Sequence, residues 1–348
     1  MNTNIFNHRV SWIDICRGVA IILVLYGHLF NTDKERYLIY AFHMPLFFFI
    51  SGLVFKPPTQ QSLLQITKKY SKQLLIPYVI FALLTYLFAF VSHTAGDISF
   101  PGILYQLFGI LYGNGNNGML GYNVVLWFLP CLFITKLTFA ILTRITSKTI
   151  QLISALILSA VSGALVSYFL PWVKLPLGFE IALIGITFFG AGYLVMSNKE
   201  RLLFIANQKI LLAVTAILLT ILAAKLNYHI SGYQVDLRIG HIGNFFLFYI
   251  ASFAGIISCM TVSKIIATNA FFEYLGRHSM VLFAWHNILF VDLENIINTV
   301  FDHSLINTIN FLMPTFYVCC AISIILITRI VLTKLSVAYR LTNRIKIV

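Results

Sequence analysis

Three ionisable residues share one apolar run near the start of the chain, in Ser11-Trp12-Ile13-Asp14-Ile15-Cys16-Arg17-Gly18 and on to Gly27-His28. Inside a membrane each costs several kcal/mol unless it is paired or wet, so all three should face the protein interior. Arg17 and His28 are 11 residues apart. That is close to three helical turns, which puts both on one face with an axial separation of roughly 16 Å. Asp14 lies one turn below Arg17 and can pair with it. Arginine keeps its charge when desolvated and grips phosphate oxygens with a planar array of donors. An imidazole can take a proton from a hydroxyl near neutral pH, which is what acyl transfer to an alcohol asks of a general base. A proton relay or an ion pathway would draw on the same residue types. A histidine making a structural hydrogen bond at the membrane interface is the plain alternative for His28 alone.

The elements that must position these groups follow from composition. Of 348 residues, 59% are hydrophobic and 10% charged, and the mean hydropathy is +0.88. That apolar excess needs lipid rather than one soluble core. Runs long enough to cross a bilayer recur throughout, at about 20 residues each. The expected spans are 12–30, 38–55, 74–92, 124–143, 150–170, 179–196, 209–226, 241–262, 279–299 and 313–333. The fold class is therefore all-α, a polytopic transmembrane bundle of ten helices. With no internal repeat and no low-complexity linker, residues 1–348 read as a single domain. The first span is not a cleavable signal, because Asp14 and Arg17 interrupt it and no small-residue cleavage site follows.

A net charge of +13 would suggest nucleic acid in a soluble protein; here it sets orientation. If the first helix starts inside, the cytoplasmic loops and both termini collect 17 of the 24 lysines and arginines, Arg9, Lys56, Lys68, Lys69, Lys72, Arg144, Lys148, Lys199, Arg201, Lys209, Lys264, Arg277, Arg329, Lys334, Arg340, Arg344 and Lys346. The opposite side receives Lys34, Arg36, Lys174, Lys225 and Arg238, with the acids Asp33, Glu35, Asp97, Asp236, Asp292, Glu294 and Asp302. Both termini are expected in the cytoplasm, with Arg17 facing inward and His28 near the outer end. His43, at the outer end of the second run, should stand level with His28 and share a polar pocket with it, unless it is a simple interfacial histidine.

The five cysteines, Cys16, Cys131, Cys259, Cys319 and Cys320, all fall in expected spans without metal-ligand spacing and read as small core residues. Residues 93–123 make the one long outer loop. It carries an apolar, interfacial stretch from Phe100 to Tyr112, then Gly113-Asn114-Gly115-Asn116-Asn117-Gly118. The glycine and asparagine run either lines an acceptor groove or is a plain connector. The basic stretch Lys68-Lys69-Tyr70-Ser71-Lys72 before the third span either binds phosphate or only obeys the positive-inside rule. Ser279 and His286, seven residues apart, share a helix face, where they either line one cavity or pack between helices.

Several of these residues together resemble acyltransferase family 3, the integral membrane O-acyltransferases. The resemblance rests on Asp14-Ile15-Cys16-Arg17-Gly18 with His28, and on Phe42-His43-Met44-Pro45-Leu46-Phe47-Phe48-Phe49-Ile50-Ser51-Gly52. Weaker matches follow in order: the basic stretch ending Pro77-Tyr78, Leu126-Trp127-Phe128-Leu129-Pro130, and Tyr274-Leu275-Gly276-Arg277-His278-Ser279 with Trp285-His286. The resemblance implies an enzyme of the bacterial inner membrane that moves an acyl group, usually acetyl, from cytoplasmic acyl-coenzyme A to a hydroxyl of a surface glycan or its lipid-linked precursor. His28 would match the catalytic histidine and Arg17 the coenzyme-associated arginine, with acetyl-coenzyme A as donor and no metal. Asp14, His43, Trp127, Ser279 and His286 would support the site. The family's Arg-x-x-Arg pair is Lys69-x-x-Lys72 here, which keeps the charge and loses the bidentate grip. Some relatives carry a fused extracytoplasmic hydrolase-like domain; this sequence has none, so it either completes the transfer alone or works with a separate partner. A succinyl donor, or a glycan transporter built on the same polar seam, are the competing expectations.

Overall fold

The first apolar run forms helix α1 (Ser11–Leu29), and the chain continues as a succession of helices. In the computed structural model the described residues are 11–29, 32–91, 100–116, 118–198, 209–266, 268–300 and 312–328. Among them, nine helical stretches are long and apolar enough to cross a membrane. Their outer surfaces confirm the solvent: on α10 (Lys209–Ser231), Ile210, Leu211, Leu218 and Leu222 are exposed side by side, a face that water would not tolerate. The tenth expected span appears as a 16-residue apolar helix, Met313–Thr328; its expected end, and the charges at Arg9, Asp97, Lys199, Arg201, Asp302, Arg329, Lys334, Arg340, Arg344 and Lys346, lie outside the described residues.

The second expected span is broken. α2 (Asp33–Tyr40) ends at Tyr40, and two residues, Ala41 and Phe42, separate it from α3 (His43–Leu53). Pro45 sits in the first turn of α3, where its missing N–H would have had no helical partner. The third span is longer than its apolar run, because α4 (Leu63–Tyr70) precedes it without a gap. Ser62 and Gln65 form a reciprocal cap on α4: the Gln65 N–H donates to Ser62 Oγ at 3.2 Å, and the Ser62 N–H donates to Gln65 Oε1 at 2.8 Å. A π-helical turn, Ser71–Leu75, joins α4 to α5 (Ile76–Val91). Pro77 explains it, since a proline ring inside a helix crowds the carbonyl four residues back and removes one hydrogen bond.

The remaining elements are α6 (Phe100–Tyr112), too short to span, α7 (Phe128–Ile145), α8 (Thr149–Phe169), α9 (Phe179–Ser197), α11 (Phe245–Ile265), α12 (Ala270–Arg277) and α13 (Ser279–Val300). The eighth span begins later than its apolar run suggested. Residues 236–241 instead make a tight outer turn, with Asp236 and His241 exchanging backbone hydrogen bonds at 2.8 and 2.9 Å. Of the cysteines, Cys16, Cys131 and Cys259 are buried as expected, whereas Cys319 is exposed on the helix at 313–328, so it is not a core residue.

Two close helix contacts hold the site-bearing elements. A Cβ added to Gly276 would overlap the Asp14 carbonyl, and one added to Gly18 would overlap that of Phe272, so α1 and α12 touch backbone to backbone. Gly52 and Gly192 do the same for α3 and α9. Small residues are how membrane helices approach so closely. Replacing Gly276 by Val should therefore lower the thermal stability of the detergent-purified protein by about 1–3 kcal/mol or more, whereas Leu218→Ala, on the lipid face, should leave the melting temperature close to wild type.

Candidate active site

Asp14 is the deepest carboxylate at the inner end of α1, only 1% exposed. Arg17 Nη1 donates to its Oδ1 at 3.0 Å from one turn above, and Arg277 Nε from α12 lies 3.8 Å from Oδ2. Arg277 also pairs with Glu273, whose other oxygen accepts from Ser11 Oγ at 2.9 Å. The glycine contact between α1 and α12 is what brings these charges together. Desolvating the carboxylate between two arginines fixes the Arg17 side chain against α1.

The same end holds a residue that the motifs did not reveal. Lys136 comes from the middle of α7, donates to Gln73 Oε1 at 2.9 Å and lies 4.5 Å above the Tyr70 ring. Lys69 and Arg17 are within electrostatic reach of it. α1, the α4–α5 junction and α7 thus converge on one cationic zone. Lys69 and Lys72 are themselves exposed, Lys69 on α4 and Lys72 in the π-helical turn.

At the opposite end of α1, a cavity of about 630 Å³ opens, lined by His28, His43, Trp127, Tyr40, Arg36 and Arg238 together with glycines of the 113–123 loop. That volume is typical of a small-molecule site. Its walls come from the ends of α1 and α2, the start of α3, a 3₁₀ turn at Val124–Trp127 and the 231–244 turn. The glycine and asparagine loop is a built wall rather than a loose connector. Asn114 donates to Glu180 Oε1 at 3.0 Å and Asn116 to the Arg238 carbonyl at 3.0 Å, while Asn123 donates to Thr85 Oγ1 at 3.1 Å and the Ala284 carbonyl at 2.7 Å. Lys174, in the turn after α8, donates to the Ile239 carbonyl at 2.8 Å; desolvation pushes its pKa below the usual lysine value, partly offset by Glu180.

The imidazoles are arranged in sequence across this end. His28 stands 5.0 Å from His286 of α13 and 6.1 Å from Tyr40, ring centre to ring centre, and Tyr40 is 4.8 Å from His43. His43 Nδ1 lies 2.9 Å from the Ile39 carbonyl. A carbonyl only accepts, so Nδ1 carries the proton and Nε2 is a lone pair. Arg238 is held by Asp236 at 3.1 Å and donates to the Gly115 carbonyl at 3.2 Å, and the Arg36 guanidinium lies 5.7 Å from the centre of the Tyr40 ring.

The family model described as an acyltransferase domain matches residues 10–332, nearly the whole chain and both ends of this site. The chain belongs to acyltransferase family 3. No curated protein and no solved structure matches it. Membership makes the protein a multi-pass membrane acyltransferase.

Within the acyltransferase, Asp14 and Arg17 pair as their spacing predicted, and His28, His43 and Trp127 line one cavity. Ser279 and His286 do not share it. Ser279 is the first residue of α13, and His286, two turns on, lies behind His28 and off the cavity wall. Among the described residues no group of histidines, cysteines and carboxylates is placed to hold a metal. Tyr40, Arg36, Asp236 and Arg238 were not singled out by sequence, since they lie on a short helix and a loop without periodic signal.

The cavity should open on the outer face. In a background with Cys319 and Cys320 replaced by Ser, Tyr233→Cys should react with a membrane-impermeant maleimide on intact cells, and Lys69→Cys only after permeabilisation.

Proposed function

We propose that the acyltransferase takes an acetyl group from cytoplasmic acetyl-coenzyme A and places it on a hydroxyl of a cell-envelope glycan, or of its lipid-linked precursor, in the bacterial inner membrane. The observation that carries this reading is the polarity of α1. A cationic zone suited to phosphates lies at one end, and an imidazole-lined cavity suited to a sugar lies at the other, with roughly 16 Å between Arg17 and His28 along the axis.

Arg17, Lys136 and Lys69 hold the phosphates of the coenzyme, with Lys72 at the entry, and the slender thiol arm reaches along α1 toward His28. The acceptor enters the outer cavity, where Trp127 and Tyr40 offer flat faces to a sugar ring. His28 takes the proton of the acceptor hydroxyl as its oxygen attacks the thioester carbonyl. The carbon–sulfur bond breaks, the acetyl group stays on the acceptor oxygen, and the proton passes to the departing sulfur, which leaves as the free thiol. An acyl-histidine intermediate on the same residue would reach the same products in two steps.

The acyl group is acetyl rather than succinyl on this reading. Acetyl is the usual group in the family, and a succinyl group would have to place its second carboxylate on Arg36 of the cavity wall, since Arg238 is paired with Asp236. The acceptor is finished either by this chain alone or with a separate extracytoplasmic partner.

His28→Ala should reduce transfer of label from acetyl-coenzyme A to membrane glycan by at least ~100-fold, with the protein still inserted and monodisperse in detergent; unchanged glycan acetylation by mass spectrometry would reject the assignment. Arg17→Ala and Lys136→Met should each raise KM for acetyl-coenzyme A about tenfold, measured by initial rates in membrane vesicles. Equal KM in wild type and variants counts against the phosphate-binding role.

A further inference from the structure

We propose that His286 acts as the acceptor that fixes the tautomer and orientation of His28, so that α13 supplies a positioning residue behind the base. The inference rests on the reading of His28 as general base.

His286 is fully buried. Its Nδ1 lies 2.8 Å from the Phe283 carbonyl and 3.2 Å from the Leu282 carbonyl. Both partners only accept, so Nδ1 carries the proton and Nε2 presents a lone pair. That Nε2 is buried and has no hydrogen-bond partner among the described residues. A buried acceptor without a donor is costly, and such groups in native proteins call for an explanation.

Among the aromatic rings packed on His286, one can supply a donor. Phe283 and Phe290 flank the ring at 6.1 and 5.6 Å and offer no N–H, whereas the His28 ring is the nearest, at 5.0 Å and tilted by 53°. Two imidazoles at that separation bring ring nitrogens within reach of a hydrogen bond after a small rotation, and such bonds are often open until substrate is bound. Tyr40, His43, Arg36 and Arg238 line the cavity with His28, whereas His286 packs on the His28 ring without lining it.

Neutral imidazole has one N–H and one lone pair. If the N–H is given to His286 Nε2, the lone pair is left for the cavity, where the acceptor hydroxyl must lie. A carboxylate behind the histidine serves this purpose in water-soluble acyl-transfer enzymes. Within a membrane span an anion at that position would carry a heavy desolvation cost. A second neutral histidine, its own tautomer locked by main-chain carbonyls, orients the base without that cost.

The test compares His286→Leu, which fills the space but cannot accept, with His286→Gln, whose amide oxygen can. Transfer of radiolabelled acetyl from acetyl-coenzyme A to endogenous glycan is followed in membrane vesicles carrying the full-length protein. His286→Leu should lower kcat roughly 100-fold with KM for acetyl-coenzyme A within about twofold of wild type, and His286→Gln should recover to within about tenfold. Wild-type kcat in His286→Leu overturns the proposal, as does an equal loss in Leu and Gln variants that melt at the wild-type temperature. If the Leu variant fails to insert, His286→Met takes its place in the same comparison. His28→Ala in parallel separates the two claims: if it retains transfer, the base assignment fails, and if it is dead while His286→Leu is active, only the present inference fails.

Discussion

Asp14 sits where hydrocarbon would otherwise be, and its carboxylate can remain there only because cations approach it from two helices. Arg17 reaches it from the same helix and Arg277 from α12. That ion pairing requires α1 and α12 to touch, and the contact requires Gly18 and Gly276. A wider separation would leave a buried charge without its second partner, which costs more than the pairing gains. The direction of Arg17 and the placement of α12 follow from this one junction, and α13, which starts directly after α12, brings His286 to His28.

The same constraint organises the outer end by different means. There one ion pair, Arg238 with Asp236, is joined by a set of neutral groups held by hydrogen bonds. Asn114, Asn116 and Asn123 each reach across to another element, and Asn123 ties the loop to both α5 and α13. Backbone polar groups at membrane depth are tolerated where they are buried in protein or line a wet cavity. The described residues of the 113–123 loop do both, with Asn114, Asn116 and Asn123 turned into the protein and Gly115, Gly118 and Gly121 on the cavity side.

Much of this was legible in the sequence because lipid imposes a coarse and strong code. Spans show as apolar runs, and the spacing of Asp14, Arg17 and His28 gave their relative heights before any coordinates. Breaks at Ala41-Phe42 and at the π-helical turn were not legible, because hydropathy continues through them and only Pro45 and Pro77 mark the places where the backbone must adjust. Lys136 was hidden for the opposite reason. A single cation in a strongly apolar run barely lowers the average, yet after the charges of both membrane faces are assigned, Arg17 and Lys136 are the two basic residues left inside spans. Ser279 and His286 share a helix face, but two turns of α13 separate a residue at its start from one packed on His28, so a common face did not mean a common site.

Between its two polar ends α1 is dry. Ala20, Ile21, Val24 and Leu25 are all buried to within 1%, packed into the same apolar core as α3, α7 and α9. Such a stretch is an electrical insulator, since moving even one unpaired ion through it would meet a steep desolvation barrier. On the proposed reading, the slender uncharged arm of the coenzyme would lie along that layer while the phosphates that anchor it stayed behind. Four small and aliphatic side chains thus separate the charged end of α1 from its imidazole end, and they offer a passing ion no polar partner.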